Sequence, residues 1–173
     1  MFKEGDIVVF GNNGVCRVDA VGPTDLFGSG QERLYYTLIP VYGSESKIFT
    51  PVDNQKVVCR AVISKEEAEK LIADIQDIEA LWVPDERRRE ESYKAAVSKC
   101  DCLELIKIIK TLYLRKQARI AEGKKVTSSD ERYLKLSEDR LYGEFAVALG
   151  IPKDEVKDYI FKCVEELGSN IER

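Results

Sequence analysis

No histidine occurs anywhere in the 173 residues. Its absence removes the imidazole general base, the commonest metal ligand and every Ser-His or Cys-His nucleophile pair. The five cysteines (16, 59, 100, 102 and 163) are an odd number and contain no C-x-x-C pair. Cys100 and Cys102 are too close for a zinc knuckle, so reduced cysteines packed as small hydrophobes are expected. Glycine-rich phosphate loops of the G-x-x-x-x-G-K-[ST] or G-x-G-x-x-G kind are missing. No apolar run approaches the ~18 residues of a membrane span. Residues 1–6 offer neither an apolar signal core nor a small-residue cleavage site. Carboxylates are plentiful but stand at helix starts, where the helix dipole favours them. These absences predict a cytoplasmic protein that is not an enzyme. They predict no cofactor, no metal, no small-molecule substrate and no membrane partner.

What is present is an uneven charge distribution. The chain carries −4 overall, yet residues 87–125 hold twelve Lys or Arg against five acids, a formal +7. The other 134 residues therefore carry −11. Such asymmetry points to a partner more than to a fold, and clustered cations gain affinity for nucleic acid by releasing counterions from phosphates. The alternative is a solvated helical face with ion pairs to acidic neighbours.

Up to about residue 62 the pattern is β. Ile7 to Phe10 is a short apolar strand, and residues 15–21 alternate at period two. Between them, Gly11-Asn12-Asn13-Gly14 contains Asn-Gly, the strongest short hairpin signal. A glycine-containing loop is expected over residues 23–33, then strands over 34–41, 46–52 and 57–62. Pro40 and Pro51 cannot donate to a ladder and fit strand ends or an edge. Five short strands predict a small SH3/Tudor-like β-barrel over residues 1–62.

From residue 64 the period becomes helical. Ser64-x-x-Glu67 is a capping box for a helix reaching about Glu79. Pro84 suits the first turn of a second. Asp101-x-x-Glu104 opens a third that stops at Gly123, and Ser128-x-x-Glu131 a fourth that Gly150 caps. Pro152 precedes a fifth, ending near Gly168. In the third helix Leu105, Ile106, Ile109, Leu112, Tyr113 and Ile120 share one side, and Tyr133, Tyr142 and Phe145 continue an aromatic stripe read as core. The fold class expected is α+β: the barrel, then an all-α bundle of about five helices over residues 64–173.

The order of motifs resembles a known family. Phe2-Lys3-x-Gly5-Asp6-x-Val8-Val9-Phe10, followed by the Asn-Gly hairpin and Val15-x-x-Val18, resembles the RNA polymerase-interacting domain of the bacterial CarD/CdnL transcription factors. The same module occurs in transcription-repair coupling factors. Tyr93-Lys94, Leu105-x-x-Ile108-Ile109-Lys110-x-Leu112 and Glu144-x-Ala146-x-x-Leu149-Gly150 resemble that family's helical C-terminal domain. The resemblance implies a transcription regulator whose N-terminal domain pairs with the RNA polymerase β subunit, strand to strand. It implies a helical domain on promoter DNA at the upstream edge of the melted region, modulating open-complex stability. In the family a tryptophan, followed by two arginines and Tyr-Lys, wedges into the minor groove there. Here Arg89 stands at the wedge position, and the one tryptophan, Trp82, lies seven residues earlier.

The expected polymerase-binding residues are therefore Tyr35, Tyr36, Thr37, Leu38 and Ile39, or Lys47, Ile48 and Phe49, acting by β-augmentation. The expected DNA-binding residues are Trp82, Arg87, Arg88, Arg89, Lys94, Lys116 and Arg119. For Trp82 the alternative is a staple packed on the helix after Pro84. For the whole chain it is a protein-interaction module that binds the polymerase, or another partner, without touching DNA.

Overall fold

Five strands fall where apolar and β-branched residues alternate: β1 Ile7–Phe10, β2 Val15–Gly22, β3 Tyr35–Pro40, β4 Ile48–Pro51 and β5 Cys59–Ala61. Neighbours pair antiparallel in the order β4-β3-β2-β1-β5. The chain is described here from a computed structural model over residues 1–24, 26 and 33–171. It divides into two compact units, Met1–Val62 and Ile63–Arg173. Most of the loop expected over residues 23–33 and the last two residues lie outside the described ones.

The expected barrel is corrected in one respect: the sheet is open. Among the described residues β4 and β5 each pair on one side only. Closure needs tilted strands long enough for a continuous ladder, and these two have four and three residues. The concave face holds Val8, Phe10, Cys16, Val18, Tyr36 and Leu38, with Phe2 and Ile48 packed at its margin. The Tyr36 hydroxyl accepts the Phe2 N–H at 2.9 Å, which ties the start of the chain over the core. The expected hairpin is present as a tight turn over Gly11–Asn13, closed by the Phe10 N–H on the Gly14 carbonyl at 2.8 Å. Only glycine suits position 11. Its φ is +43°, and a Cβ there would stand 2.5 Å from Val57 Cγ1.

The second unit contains α1 Lys65–Ala73, α2 Arg89–Ser98, α3 Cys102–Ala121, α4 Ser128–Leu149 and α5 Val156–Ile171. Ser64 and Glu67 form the expected capping box. Asp101 caps α3, and Gly150, at φ 68° and ψ 34°, ends α4. Several boundaries differ from expectation, among them the start of α5, which lies at Val156 after a 3₁₀ turn over Lys153–Glu155. Helix α1 stops at Ala73, because the carbonyls of Ile75, Gln76 and Ile78 turn to the Lys110 ammonium instead of continuing the helix. Helix α2 starts at Arg89, after a 3₁₀ turn over Glu86–Arg88 that Asp85 caps, so Pro84 lies outside it. The cap of α4 is Thr127, whose hydroxyl accepts the Asp130 N–H, one residue before the expected Ser128.

Tyr93, Ile106, Ile108, Leu112, Leu141, Phe145 and Val156 fill the core of this unit. Glu144 is buried there, its two oxygens accepting the Ile63 N–H and the Cys102 thiol, each at 3.1 Å. Tyr113 and Ile120, expected on the core side, are exposed instead. Among the described residues no helix is long and apolar enough to cross a membrane.

Candidate interaction surfaces

The first surface follows from the ladder. The Val52 N–H donates to the Leu34 carbonyl at 3.0 Å, beside the partners Tyr35–Pro51 and Tyr36–Thr50. Bonded and non-bonded pairs alternate along an antiparallel ladder. Thr50 and Ile48 therefore direct their backbone groups to β3, and Phe49 turns its N–H and C=O outward. Both strand prolines obey the same alternation. Pro51 has the parity of Phe49, so its missing donor faces outward. Pro40 faces the β4 side beyond the end of β4.

This sorts the eight expected polymerase-binding residues. Strand β3 is flanked by β2 and β4, so its backbone is occupied on both sides. Of its side chains, Tyr36 and Leu38 are in the core, while Tyr35, Thr37 and Ile39 lie half-buried on the opposite face. Phe49 shares that face opposite Thr37 and is 36% exposed. Ile48 lies opposite Leu38 at the core margin. Lys47 is exposed, 3.6 Å from Asp19. Of the two strands read from the sequence, β4 is the one with an open edge.

The second surface is a strap between α1 and α2. Lys110 donates to the Ile75 carbonyl at 2.7 Å, to the Gln76 carbonyl at 3.0 Å and to that of Ile78. Three convergent carbonyls suit a tetrahedral ammonium with three donors. Farther along, the Leu81 N–H donates to Thr111 Oγ1 at 2.7 Å, and that hydroxyl donates to the Lys107 carbonyl at 2.7 Å. The next residue, Trp82, is 80% exposed. The staple alternative is thereby excluded: a ring packed back on its helix would be covered.

The three arginines have different surroundings. Arg89 is turned inward, its side chain 16% exposed. It donates to Glu86 from both Nε (3.0 Å) and Nη2, and to the Tyr93 hydroxyl at 2.9 Å. Its guanidinium lies 5.9 Å from the Tyr93 ring centroid. Arg115 of α3 joins Glu86 at 3.1 Å and the buried Asp130 at 2.7 Å. Arg89 and then Arg115 hold the Glu86 carboxyl at about 2, below the ordinary carboxylate range, although its side chain is two-thirds exposed. Glu86 in turn pushes the Arg89 guanidinium up, with the Tyr93 hydroxyl adding to the effect. Arg88 pairs with Glu91 at 2.9 Å. Arg87 is exposed and is tied among the described residues only through its backbone N–H, which donates to Asp85.

Elsewhere in the cationic segment, Lys99 and Lys107 meet Glu104, and Lys124 meets Glu122. Arg119 donates to the Lys125 carbonyl at 2.8 Å. Lys94 and Lys116 are exposed and, with Arg87 and Lys125, have no ion pair among the described residues. The contacts bring the strap alongside α3, where 107, 111, 115 and 119 share a face at helical spacing. Arg89 is separated from its two neighbours and serves the packing of α2. Sequence reading missed Lys110, Thr111, Glu86, Arg115 and Asp130. Only Arg89–Glu86, at i,i+3, and Arg89–Tyr93, at i,i+4, left a local signal.

A short antiparallel sheet with an exposed strand edge can accept an added strand. Residues 2–63 match the family model described as the CarD-like/TRCF RID domain. The chain thus carries a CarD-like RNA polymerase-interacting domain, and RNA polymerase is the partner that this family indicates. The match ends at residue 63, before α1. A search of curated proteins returns no match.

Proposed function

We propose that the protein is a transcription regulator that binds the RNA polymerase β subunit through the outer edge of β4 and contacts promoter DNA through its helical unit, modulating open-complex stability. The observation that carries this reading is the match of residues 2–63 to the polymerase-interacting domain. The outward Phe49 N–H and C=O support β4 as the pairing edge, with Tyr35, Thr37 and Ile39 adding side-chain contact and Lys47 a charge. On the helical unit, an exposed tryptophan and, five residues on, an arginine without an ion pair among the described residues support a wedge with phosphate anchors. Trp82 takes the wedge role, because Arg89 at the family's wedge position is held by Glu86 and Tyr93. Arg87, Lys94 and Lys116 contact phosphates, with Arg88 and Arg119 beside them.

A second reading, an interaction module that binds polymerase without DNA, is favoured by a specific observation. Arg88, Arg89, Lys99, Lys107, Arg115 and Lys124 of the cationic segment already have carboxylate partners. The test is binding of the full chain to core polymerase with and without a forked promoter fragment. The first reading expects the promoter fragment to raise the protein's affinity for the complex and Trp82→Ala to abolish that gain. Polymerase binding with no contribution from DNA establishes the second. No polymerase binding at all removes both.

A further inference from the structure

An apolar groove of about 280 Å³ opens in the helical unit between α3, α4, α5 and the turn after α1. Ile75, Ile109, Tyr113, Ile160, Phe161 and Val164 contribute to its wall. A cavity of about 150 Å³ houses one benzene ring, so this one takes two large apolar side chains. Phe161 and Tyr113 at its mouth are 53% and 36% exposed, and soluble proteins seldom leave adjoining large apolar groups uncovered without a binding role.

The charges lining the groove are of one sign. Acids outnumber bases 31 to 27 in the chain, yet the lining contains Lys110 and Lys157 and neither Asp nor Glu. Lys157 has no carboxylate partner among the described residues. Lys110, with its donors on three carbonyls, contributes a fixed positive field. Glu138 acts on the Tyr142 hydroxyl but does not line the groove. An unpaired Lys157 at the rim, with no carboxylate in the lining, selects against a basic occupant and for an acidic one.

We propose that this groove docks an acidic amphipathic helix of another polypeptide, which seats two bulky apolar side chains one turn apart and sets a carboxylate against Lys157. The mode is helix-in-groove, with anchors at i and i+4. It is independent of the β4 edge and of Trp82, so it stands or falls apart from the polymerase reading.

The test uses the full chain and a fluorescein-labelled designed helix carrying Leu and Phe at i and i+4 among glutamates, read by anisotropy at low and moderate salt. Saturable binding is expected, weakening as salt rises and falling about tenfold, or 1.4 kcal/mol, in both Phe161→Ala and Lys157→Glu. Circular dichroism establishes that each variant is folded, and Lys157→Glu decides if Phe161→Ala is not. Equal binding by the same helix with lysines for glutamates overturns the proposal, as does unchanged binding by the variants or no saturation. Octanoate binding at the groove without peptide binding makes it a small-molecule site. A dimer in sedimentation that Phe161→Ala dissolves makes the occupant a second copy.

Discussion

Replacing Phe49 by proline tests the β4 edge at a single atom. The Phe49 N–H points away from β3, so removing it leaves every ladder bond between β3 and β4 in place. The new ring carbon takes the outward direction of the lost hydrogen, the one place where a strand tolerates proline. Ile48 is already extended, as a residue before proline must be. With Phe49 only 36% exposed, losing its ring is expected to cost about 1–2 kcal/mol of stability, which Phe49→Ala reports separately from the backbone change. Thr50→Pro is the internal control. Its N–H serves β3 and its side chain is 3% exposed, so it is expected to cost about 3 kcal/mol or more.

For binding, the lost hydrogen bond is worth about 0.5–1.5 kcal/mol, and about 1–3 if its acceptor is left buried and unpaired. The affinity for a polymerase β-lobe fragment is thus expected to fall roughly 2- to 150-fold in Phe49→Pro. Phe49→Ala keeps the backbone donor and isolates the ring. Titration calorimetry, with thermal unfolding of each variant, supplies both numbers. A folded Phe49→Pro that binds like the parent refutes pairing at β4.

Trp82→Ala is expected to leave the unfolding temperature nearly unchanged, within about 0.5 kcal/mol, while weakening forked promoter DNA more than duplex in the polymerase complex; a large loss of stability contradicts the exposed strap. Arg87→Ala is expected to lower the slope of log affinity against log salt by about one, whereas Arg89→Ala is expected to destabilise α2 by removing its bonds to Glu86 and Tyr93; binding at graded salt and urea unfolding separate the two. The Glu86 carboxyl has a lower pKa folded than unfolded, so its stabilising effect is present above about pH 4.3 and disappears as pH falls toward 2; water around this exposed group keeps the effect small, and Glu86→Gln is expected to flatten that part of an acid titration. Gly11→Ala is expected to destabilise the sheet by about 1–3 kcal/mol, read by thermal unfolding, because both its φ and Val57 oppose a methyl group.

The parts of the fold that could be read in the sequence are those decided locally. Ser64 and Glu67 meet across three residues, Asp101 caps its own helix, and Gly150 takes a conformation that its missing Cβ permits. The Arg119 contact with Lys125 is nearly as local, but most determinants of the candidate surfaces are not. Which strand is the edge depends on pairing order, and β4 and β5 differ from interior strands in nothing that a five-residue window contains. The +7 segment could be counted, yet its neutralisation could not: Arg115 finds Glu86 and Asp130 at separations of 29 and 15 residues. Helix α1 was overextended because Lys110, which collects the carbonyls of its expected last turn, lies more than thirty residues away. Trp82 was left between two readings for a related reason. A large apolar ring is covered by default, and its exposure follows from where Thr111 fixes the preceding residue.

The fasteners of the strap act mainly on main-chain atoms: three carbonyls for Lys110 and one N–H for Thr111. Main-chain atoms are common to all residues, so the path from 75 to 81 is largely indifferent to which side chains it carries. Mutation can exchange the side chain at the tip while the track beneath it persists. Lys110 itself has less freedom, since an ammonium presents its three donors tetrahedrally to converging carbonyls and the guanidinium of arginine presents its donors in one plane. Substitution across lineages is thus expected to be loose along the strap and tight at its anchor. An aromatic tip can migrate between neighbouring positions through ordinary point mutations, without the helices being rebuilt.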